Sequence, residues 1–182
     1  MHLYFLRHGK AGDRDEWTGR DFERPLTAAG TDELRAAALG LRALDVKVDA
    51  LLSSPLVRAW RTAEIVAAAL GLPVSEAPTL APGCDLERLA AALKPHRAAA
   101  SVMVVGHEPD FSTLIGLLIA RQGAPAAVEM KKGACCRVDV SGNLANGDAL
   151  AGRGTLIWLL TAKQLGGLAS CGMPYASADG DD

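Results

Sequence analysis

Short apolar runs alternate along the chain with longer segments in which apolar residues recur at helical spacing, and this alternation limits the possible folds more than any other feature. It is typical of a parallel β-sheet that is covered by helices on both faces. We predict strands over residues 2–7, 49–53, 101–106, 134–140 and 155–161. Helices are predicted over residues 28–44, 56–70, 85–94 and 110–121.

The order of these elements predicts how the strands pair. The first three strands alternate with helices and are expected to be parallel, whereas the last two are joined by a Gly/Asn/Asp-rich loop that indicates a wide hairpin. The predicted fold class is α/β, a three-layer α/β/α sandwich with a mostly parallel sheet and an antiparallel edge. We expect a single domain over residues 1–169 and a frayed C-terminal tail over residues 170–182.

Composition narrows the classes of partner. The 182 residues carry a net charge of -2, with 49% hydrophobic and 22% charged residues, which gives no reason to expect nucleic acid or a membrane as partner. No apolar run reaches the roughly 18 residues that a membrane span needs, and the N-terminus lacks the features of a secretory leader, so we expect a cytoplasmic protein. The four cysteines show neither CxxC spacing nor a histidine at zinc-ligand spacing, which favours reduced thiols.

Cationic residues follow three of the predicted strands. Arg7, His8 and Gly9 come at the end of the first strand, Arg58 follows the second and His107 follows the third. The carboxyl ends of parallel strands meet at one edge of a sheet, where ligands bind. These cations have no matching acidic cluster, so a dianion is the expected ligand. Phosphate fits best, because arginine can grip two of its oxygens and glycine lets the backbone approach closely.

Taken alone, each of these residues has a plain structural explanation. A single histidine at a strand end is more often a hydrogen-bonded structural residue than a catalytic one. Arg58 and Arg61 are spaced as on a solvated helix face, with Glu64 as an ion-pair partner for Arg61. The argument for a site therefore depends on the combination of all three strand ends.

Three motifs resemble the histidine phosphatase (phosphoglycerate mutase-like) superfamily: LRHGKA near the N-terminus, SSPLVRAWRTAEI after the second strand and VGHEP after the third. The short chain, ERPLTAAG at residues 23–30 and LAPGCD at residues 80–85 are most similar to the SixA-type phosphohistidine phosphatases. The resemblance covers residues 3–161 and implies a phosphoglycerate mutase-like fold. The chain departs from the motif at Trp60 and Arg61, where family members often have a polar residue, frequently Gln.

The resemblance implies that His8 is a nucleophile that becomes transiently phosphorylated. Arg7, Arg58 and His107 would line the phosphate pocket, and no metal or organic cofactor is implied. For phosphoryl transfer we expect a neutral His8, with one ring N–H held by an acceptor such as a backbone carbonyl. We expect His107 to be an imidazolium that adds its charge to that of the two arginines.

The general acid that would protonate the leaving group is not fixed by the sequence. Glu108 and Asp85 are the main candidates, with Glu87 and Asp110 as further positions, and each is equally well explained by a helix start. An imidazole leaving group, with a pKa of about 6.5, can take its proton from solvent, whereas an alkoxide is a far stronger base and needs an acid. A site without a placed acid should therefore favour phosphohistidine, phosphoramidates or aryl phosphates.

Further substrate contacts are expected from charged residues around the site. The polar loop over residues 10–24 directly follows His8, and in it Lys10, and Arg20 or Arg24, are the favoured contributors. Together with Arg7, Gly9, Arg58 and His107, Lys10 completes the predicted substrate-binding set. Lys131 and Lys132 either form a rim for an acidic or protein-borne substrate or guard the edge of the sheet.

Three functions remain open from sequence. The leading hypothesis is a metal-independent phosphatase that acts through a phosphohistidine enzyme intermediate on protein phosphohistidine. A small-molecule phosphomonoesterase or a phosphoglycerate mutase-like enzyme is the first alternative, although a mutase needs a covering lid for which this chain has little sequence. A non-catalytic module that binds a phosphorylated partner is the second alternative.

Overall fold

The computed structural model of the chain describes residues 1–120, 125–142 and 150–170. Its strands are β1 (His2–Arg7), β2 (Ala50–Ser53), β3 (Val74–Glu76), β4 (Ser101–Gly106), β5 (Cys135–Val140) and β6 (Gly154–Leu160). Its α-helices are α1 (Ala28–Ala43), α2 (Val57–Leu70), α3 (Leu86–Leu93), α4 (Asp110–Ile119) and α5 (Ala162–Ser170). Short 3-10 turns cover Asp21–Glu23, Pro78–Leu80 and Lys94–His96.

The six strands form one sheet in the order β3-β2-β4-β1-β5-β6. The strands β3, β2, β4 and β1 are parallel to one another, while β5 is antiparallel to both β1 and β6. The predicted parallel sheet with an antiparallel edge is thus confirmed. Of the loop predicted to join β5 and β6, residues 143–149 lie outside the described residues.

Helices cover both faces of the sheet, as expected for three layers. On one face α1, α2 and α5 pack against Tyr4 and Leu6 of β1. On the other face α3 and α4 pack against Leu3 and Phe5. Alternate residues of β1 therefore enter two different cores, because successive side chains of a strand point to opposite faces. This burial fixes the position of β1, whose end carries Arg7 and His8.

Two elements of the structure are absent from the sequence prediction. The strand β3 has only three residues, two of them exposed, at the edge of the sheet. The helix α5 extends to Ser170, the first residue of the predicted tail, and it packs closely on α1 at Gly40, where a Cβ atom would lie 1.9 Å from the carbonyl oxygen of Leu165. Residues 171–182 of the predicted tail lie outside the described residues.

No helix in the described ranges is both long enough and apolar enough to cross a membrane.

Candidate active site

The main chain of His8 is held from two sides at the end of β1. Its amide donates to the Gly106 carbonyl at 3.0 Å, and its carbonyl accepts from the Gly133 amide at 3.1 Å. The side chain is 7% exposed, and Nδ1 lies 2.8 Å from the Gly9 carbonyl oxygen. Because a carbonyl can only accept, we assign the ring proton to Nδ1, which leaves a lone pair on Nε2.

The environment of His8 keeps the imidazole neutral. Burial, together with the positive charges of Arg58, Arg7 and Arg24, lowers its pKa to about 4 against an opposing effect of the Gly9 carbonyl. At neutral pH the ring is therefore unprotonated on Nε2. This agrees with the neutral, carbonyl-held histidine that the sequence predicts.

Gly9 connects the loop after β1 to helix α2 and is not part of the cleft wall. Its amide donates to Oγ1 of Thr62 at 3.1 Å, and Thr62 in turn donates to the Arg58 carbonyl at 2.7 Å. A Cβ atom on Gly9 would lie 2.3 Å from Cδ1 of Leu34, so no side chain fits there. Gly9 thus positions His8 and α2, whereas the sequence predicts direct contact with substrate.

His107 follows β4 and lies beside His8, with the ring centroids 5.2 Å apart. Its Nε2 is 2.8 Å from Oγ of Ser54, and that hydroxyl accepts from the Leu56 amide at 3.4 Å. We assign the hydroxyl proton to the hydrogen bond with Nε2, and the ring proton of His107 to Nδ1. A serine that the sequence indicates only as a turn residue therefore orients this histidine.

The predicted imidazolium at His107 is wrong for this structure. The ring is 2% exposed, and burial, together with His8 and Arg58, lowers its pKa to about 3. The ring is therefore neutral at pH 7, and in this form it contributes an N–H donor but no charge. Sequence does not reveal this, because the protonation state follows from the depth of burial.

Arg58 enters the cleft from the first turn of α2 and is held by Asp21, a residue absent from the sequence prediction. Its Nη1 donates to the Asp21 carbonyl at 2.7 Å and its Nη2 to Oδ2 of Asp21 at 3.0 Å. Arg24 Nε donates to Oδ1 of the same carboxylate at 3.0 Å. Burial raises the pKa of Asp21, but the hydrogen bonds from Arg24 and Arg58 outweigh it and the pKa is lowered. The sequence pattern that points to Asp21 is its position three residues before Arg24, in the loop after His8.

Three hydrogen-bond donors of this site are unpartnered. In the part of the chain that the structure describes, the buried side-chain nitrogen and oxygen atoms without a partner are Nε of Arg7, Nε of Arg58 and Nδ1 of His107. Arg7 is otherwise held by the Met130 carbonyl, 2.6 Å from Nη1. Buried donors are nearly always paired in proteins, so unpaired ones need an explanation. All three belong to residues that the sequence predicts around a phosphate.

A single cleft of about 520 Å³ contains the four residues predicted to act on phosphate, which are Arg7, His8, Arg58 and His107. Six arginine and lysine side chains but only three carboxylates line it. The cationic lining comprises Arg7, Lys10, Arg14, Arg24, Arg58 and Lys132, and the acidic lining comprises Asp13, Asp21 and Glu108. The cleft is therefore cationic on a chain whose net charge is -2. Of the pair Arg20 or Arg24, the structure brings Arg24 to the site.

The candidates for a general acid are separated by the structure. Asp85 is the N-cap of α3, accepts from the Arg88 amide at 2.9 Å and does not line the cleft. Asp110 binds the amides of the loop before α3, and Glu87 is exposed. Glu108 does line the cleft, but its two oxygens accept from the amide and hydroxyl of Ser112 at 3.2 and 2.6 Å.

Among the described residues, no group of three or more His, Cys, Asp or Glu side chains is arranged to hold a metal ion.

Comparison with known proteins identifies relatives of this chain. The family model of the histidine phosphatase superfamily (branch 1) matches residues 3–82. The chain is 36% identical over 124 residues to phosphohistidine phosphatase SixA of Escherichia coli (strain K12), covering 66% of this chain and 73% of that protein. An uncharacterized protein of Picosynechococcus sp. is 42% identical over 113 residues, which is 60% of this chain and 68% of that protein. A solved structure of the protein histidine phosphatase SixA complexed with tungstate has a TM-score of 0.73 at 30% identity, covering 91% of this chain and 99% of that chain.

The fold and the cleft define an α/β enzyme with a cationic site at the carboxyl ends of parallel strands. The chain belongs to the histidine phosphatase superfamily, within the SixA-type branch. It is a phosphatase with the phosphoglycerate mutase-like fold, and its substrates are phosphorylated molecules.

Proposed function

We propose that this protein is a metal-independent phosphatase that removes the phosphoryl group from protein phosphohistidine through a phosphorylated His8. The observation that carries the proposal is the state of His8: a neutral ring, fixed through Nδ1 to the Gly9 carbonyl, in a cleft with unpartnered donors on Arg7, Arg58 and His107. These are the requirements of a nucleophile for phosphoryl transfer.

In the first step the Nε2 lone pair of His8 attacks phosphorus while the bond from phosphorus to the substrate nitrogen breaks. The electron pair of that bond leaves with the substrate imidazole, which takes its proton from solvent. The guanidinium groups of Arg7 and Arg58 offset the charge on the three equatorial oxygens, and His107 donates from Nδ1. The product is a phosphorylated Nε2 of His8.

In the second step a water oxygen attacks the phosphorylated His8 and the bond from phosphorus to Nε2 breaks. Inorganic phosphate leaves with the water oxygen, one water proton passes to phosphate or solvent, and the neutral ring is restored. The pKa of His8, about 4, shows that Nε2 is a weak base, and a weakly basic nitrogen is a good leaving group.

The carboxylates of the cleft favour phosphohistidine over alkyl phosphates. Glu108 is hydrogen-bonded to Ser112, Asp21 to two arginines and Asp13 to the amide of Asp15, so none of the three is positioned as a general acid. A relative that carries the name phosphohistidine phosphatase, and a similar structure that contains tungstate, a tetrahedral dianion, support this substrate class. A small-molecule phosphomonoesterase is the second candidate, because Glu108 still lines the cleft.

The test is a denaturing trap of the enzyme after mixing with a peptide that carries labelled phosphohistidine. We expect label on the wild type and on a His2→Ala control, and none on His8→Ala. Release rates from the peptide, from p-nitrophenyl phosphate and from a sugar phosphate are then compared, with the peptide expected to be fastest. Tight binding without label on the wild type would instead indicate a non-catalytic module, and a fastest release from the sugar phosphate would indicate a phosphomonoesterase.

A further inference from the structure

Three exposed cations at the mouth of the cleft have no carboxylate partner. Lys10, Arg14 and Lys132 line the cleft, and among the described residues none of them forms an ion pair. Some exposed cations outside the cleft have such a partner, as Arg35 has Asp32, whereas others, such as Arg42 and Lys94, form no ion pair among the described residues. What Lys10, Arg14 and Lys132 share is that they line the cleft without such a partner. We call Lys10, Arg14 and Lys132 the cationic rim.

The carboxylates that line the cleft do not neutralise the cationic rim. Asp21 is bound by two arginines, and Glu108 accepts from Ser112. The third, Asp13, accepts from the backbone amide of Asp15 at 2.9 Å. None of the three forms an ion pair with a residue of the cationic rim, and the six cations of the lining outnumber them, so the cleft keeps an excess of positive charge for a ligand.

Two members of the rim are placed by the main chain around His8. The carbonyl of Lys10 accepts from the amide and the hydroxyl of Thr27 at 2.9 and 3.2 Å, which fixes the backbone two residues after the nucleophile. Lys132 directly precedes Gly133, whose amide is bonded to the His8 carbonyl at 3.1 Å. Both lysines are therefore anchored to the segment that carries the nucleophile, although their side chains are exposed.

The cationic rim adds more positive charge to the cleft than one phosphoryl group requires. Arg7, Arg58 and His107 already supply two guanidinium groups and an N–H donor for three peripheral oxygens. A cleft of about 520 Å³ is of the size that holds a whole ligand and not only a phosphoryl group. The outer part of the cleft therefore faces whatever is attached to the phosphoryl group.

The surface beside the rim has the character of a protein-binding surface. The loop between β1 and α1, closed at its base by the bridge from Ala11 to Leu26, exposes Trp17 by 37% and Phe22 by 49%. Arg14 lies on the same loop. Protein interfaces are enriched in aromatic residues and arginine, whereas a small anionic molecule would make no use of two aromatic rings outside the cleft.

We propose that the cationic rim binds acidic residues that flank the phosphohistidine of a partner protein. The inference rests on the proposed function and extends it by specifying that the substrate protein is acidic around its phosphohistidine. Opposite charges raise the rate of encounter and fix the orientation of the partner, and both effects weaken as salt screens them. The selectivity for acidic substrates should therefore appear in kcat/KM and decrease with ionic strength.

The experiment uses two phosphohistidine peptides that differ only in their flanking residues, Asp and Glu in one and Asn and Gln in the other. For the wild type at low salt we expect kcat/KM to be about tenfold higher for the acidic peptide. Lys132→Gln and Arg14→Gln should each lower that ratio by about two- to fivefold. Lys131→Gln is the matched control, because Lys131 is the exposed neighbour of Lys132 but does not line the cleft, and its ratio should equal that of the wild type.

Equal values of kcat/KM for the two peptides with the wild type would overturn the inference, and so would an equal effect of the Lys131 and Lys132 substitutions. A stronger preference for a small molecule with two phosphates than for the acidic peptide would also overturn it. If neither peptide is hydrolysed, the proposed function fails by itself. The ratio of the two dissociation constants, measured with the same peptides and variants, then decides whether the rim selects acidic partners.

Discussion

A histidine and an arginine lie together near each end of β1, in opposite electrostatic settings. At the amino end, His2 lies 2.8 Å from Asp139, and Arg137 contacts the same carboxylate through Nε and Nη2 at 2.8 and 3.0 Å. At the carboxyl end, the side chains of His8 and Arg7 are bonded to main-chain carbonyl oxygens at 2.8 and 2.6 Å, and neither forms an ion pair with a described residue. His2 is exposed whereas His8 is buried, and both arginines are half-buried.

The difference is whether the positive charge is neutralised. Burial raises the pKa of Asp139, but hydrogen bonds from Arg137 and His2 outweigh it and the pKa is lowered, as in a closed ion-pair network. A carbonyl holds a cation in position without cancelling its charge, so Arg7 keeps its charge for a ligand. Substitutions at the amino end should therefore affect stability slightly, and those at the carboxyl end should affect activity strongly.

The largest difference in kcat/KM between the two ends is expected when Arg7→Gln is compared with Arg137→Gln. Loss of Arg7 removes a preorganised charge on the transferring phosphoryl group, so we expect kcat/KM to fall by about 100- to 1,000-fold. Arg137→Gln should leave kcat/KM within about twofold of the wild type. Steady-state kinetics with a phosphohistidine peptide measures both, and a comparable loss in the two variants would contradict the distinction between the ends.

The pH dependence of stability should distinguish His8 from His2. An unfolded histidine has a pKa of about 6.5 and that of His8 is lowered to about 4, so between these pH values the unfolded chain binds a proton that the folded chain does not. His8 therefore contributes nothing above pH 6.5 and destabilises the fold progressively as the pH falls, by about 3 kcal/mol at pH 4.

Urea unfolding at pH 7 and at pH 4.5 measures this linkage. His8→Gln should lose less stability over the interval than the wild type, whereas His2→Gln, which leaves His8 in place, should lose more than His8→Gln. In addition, kcat/KM of the wild type should decrease as the pH falls through about 4, where Nε2 becomes protonated. An equal response of the two variants would show that the low pKa is not a property of His8.

The two adjacent serines before α2 should differ in their effect on kcat/KM, with a loss of about tenfold expected for Ser54→Ala alone. Ser54 holds His107 Nε2 at 2.8 Å, while the equally buried Ser53 donates to the Ser54 carbonyl at 2.9 Å. Ser54→Ala frees the ring to change tautomer, so kcat/KM should fall by about tenfold, a loss of about one hydrogen bond. Ser53→Ala should change it by less than about twofold. Both variants are first compared with the wild type by thermal unfolding, and equal kinetic losses would remove the positioning role of Ser54.

The location of the site could be predicted from sequence because it follows from strong local patterns. The apolar runs predict β1, β2 and β4, and the rule that ligands bind at the carboxyl ends of parallel strands brings His8, Arg58 and His107 together. Burial then keeps His8 neutral. The sequence predicts this state because the positive charges of the nearby arginines lower the pKa of His8 in the same direction as burial.

The remaining features depend on contacts between distant residues. Asp21 acts on Arg58 across 37 positions, and the protonation of His107 depends on a depth of burial that local sequence does not encode. The strand β3 is too short and exposed to give an apolar pattern. Two adjacent glycines lower the helix propensity of α5, which forms because it packs on α1.

The smallest effect is expected from Glu108→Gln. This substitution tests whether Glu108 has only a structural role, as Asp139 has at the amino end, or acts as a general acid. If Glu108 only binds Ser112 at the start of α4, kcat/KM for a phosphohistidine peptide should stay within about twofold, because the imidazole leaving group takes its proton from solvent. An alkyl phosphate should be equally insensitive. A general acid would instead show a loss of about 100-fold or more with the alkyl phosphate and little with the peptide. Asp139→Asn is the control at the amino end, since its carboxylate is far from the reacting groups and its loss should leave both rates unchanged.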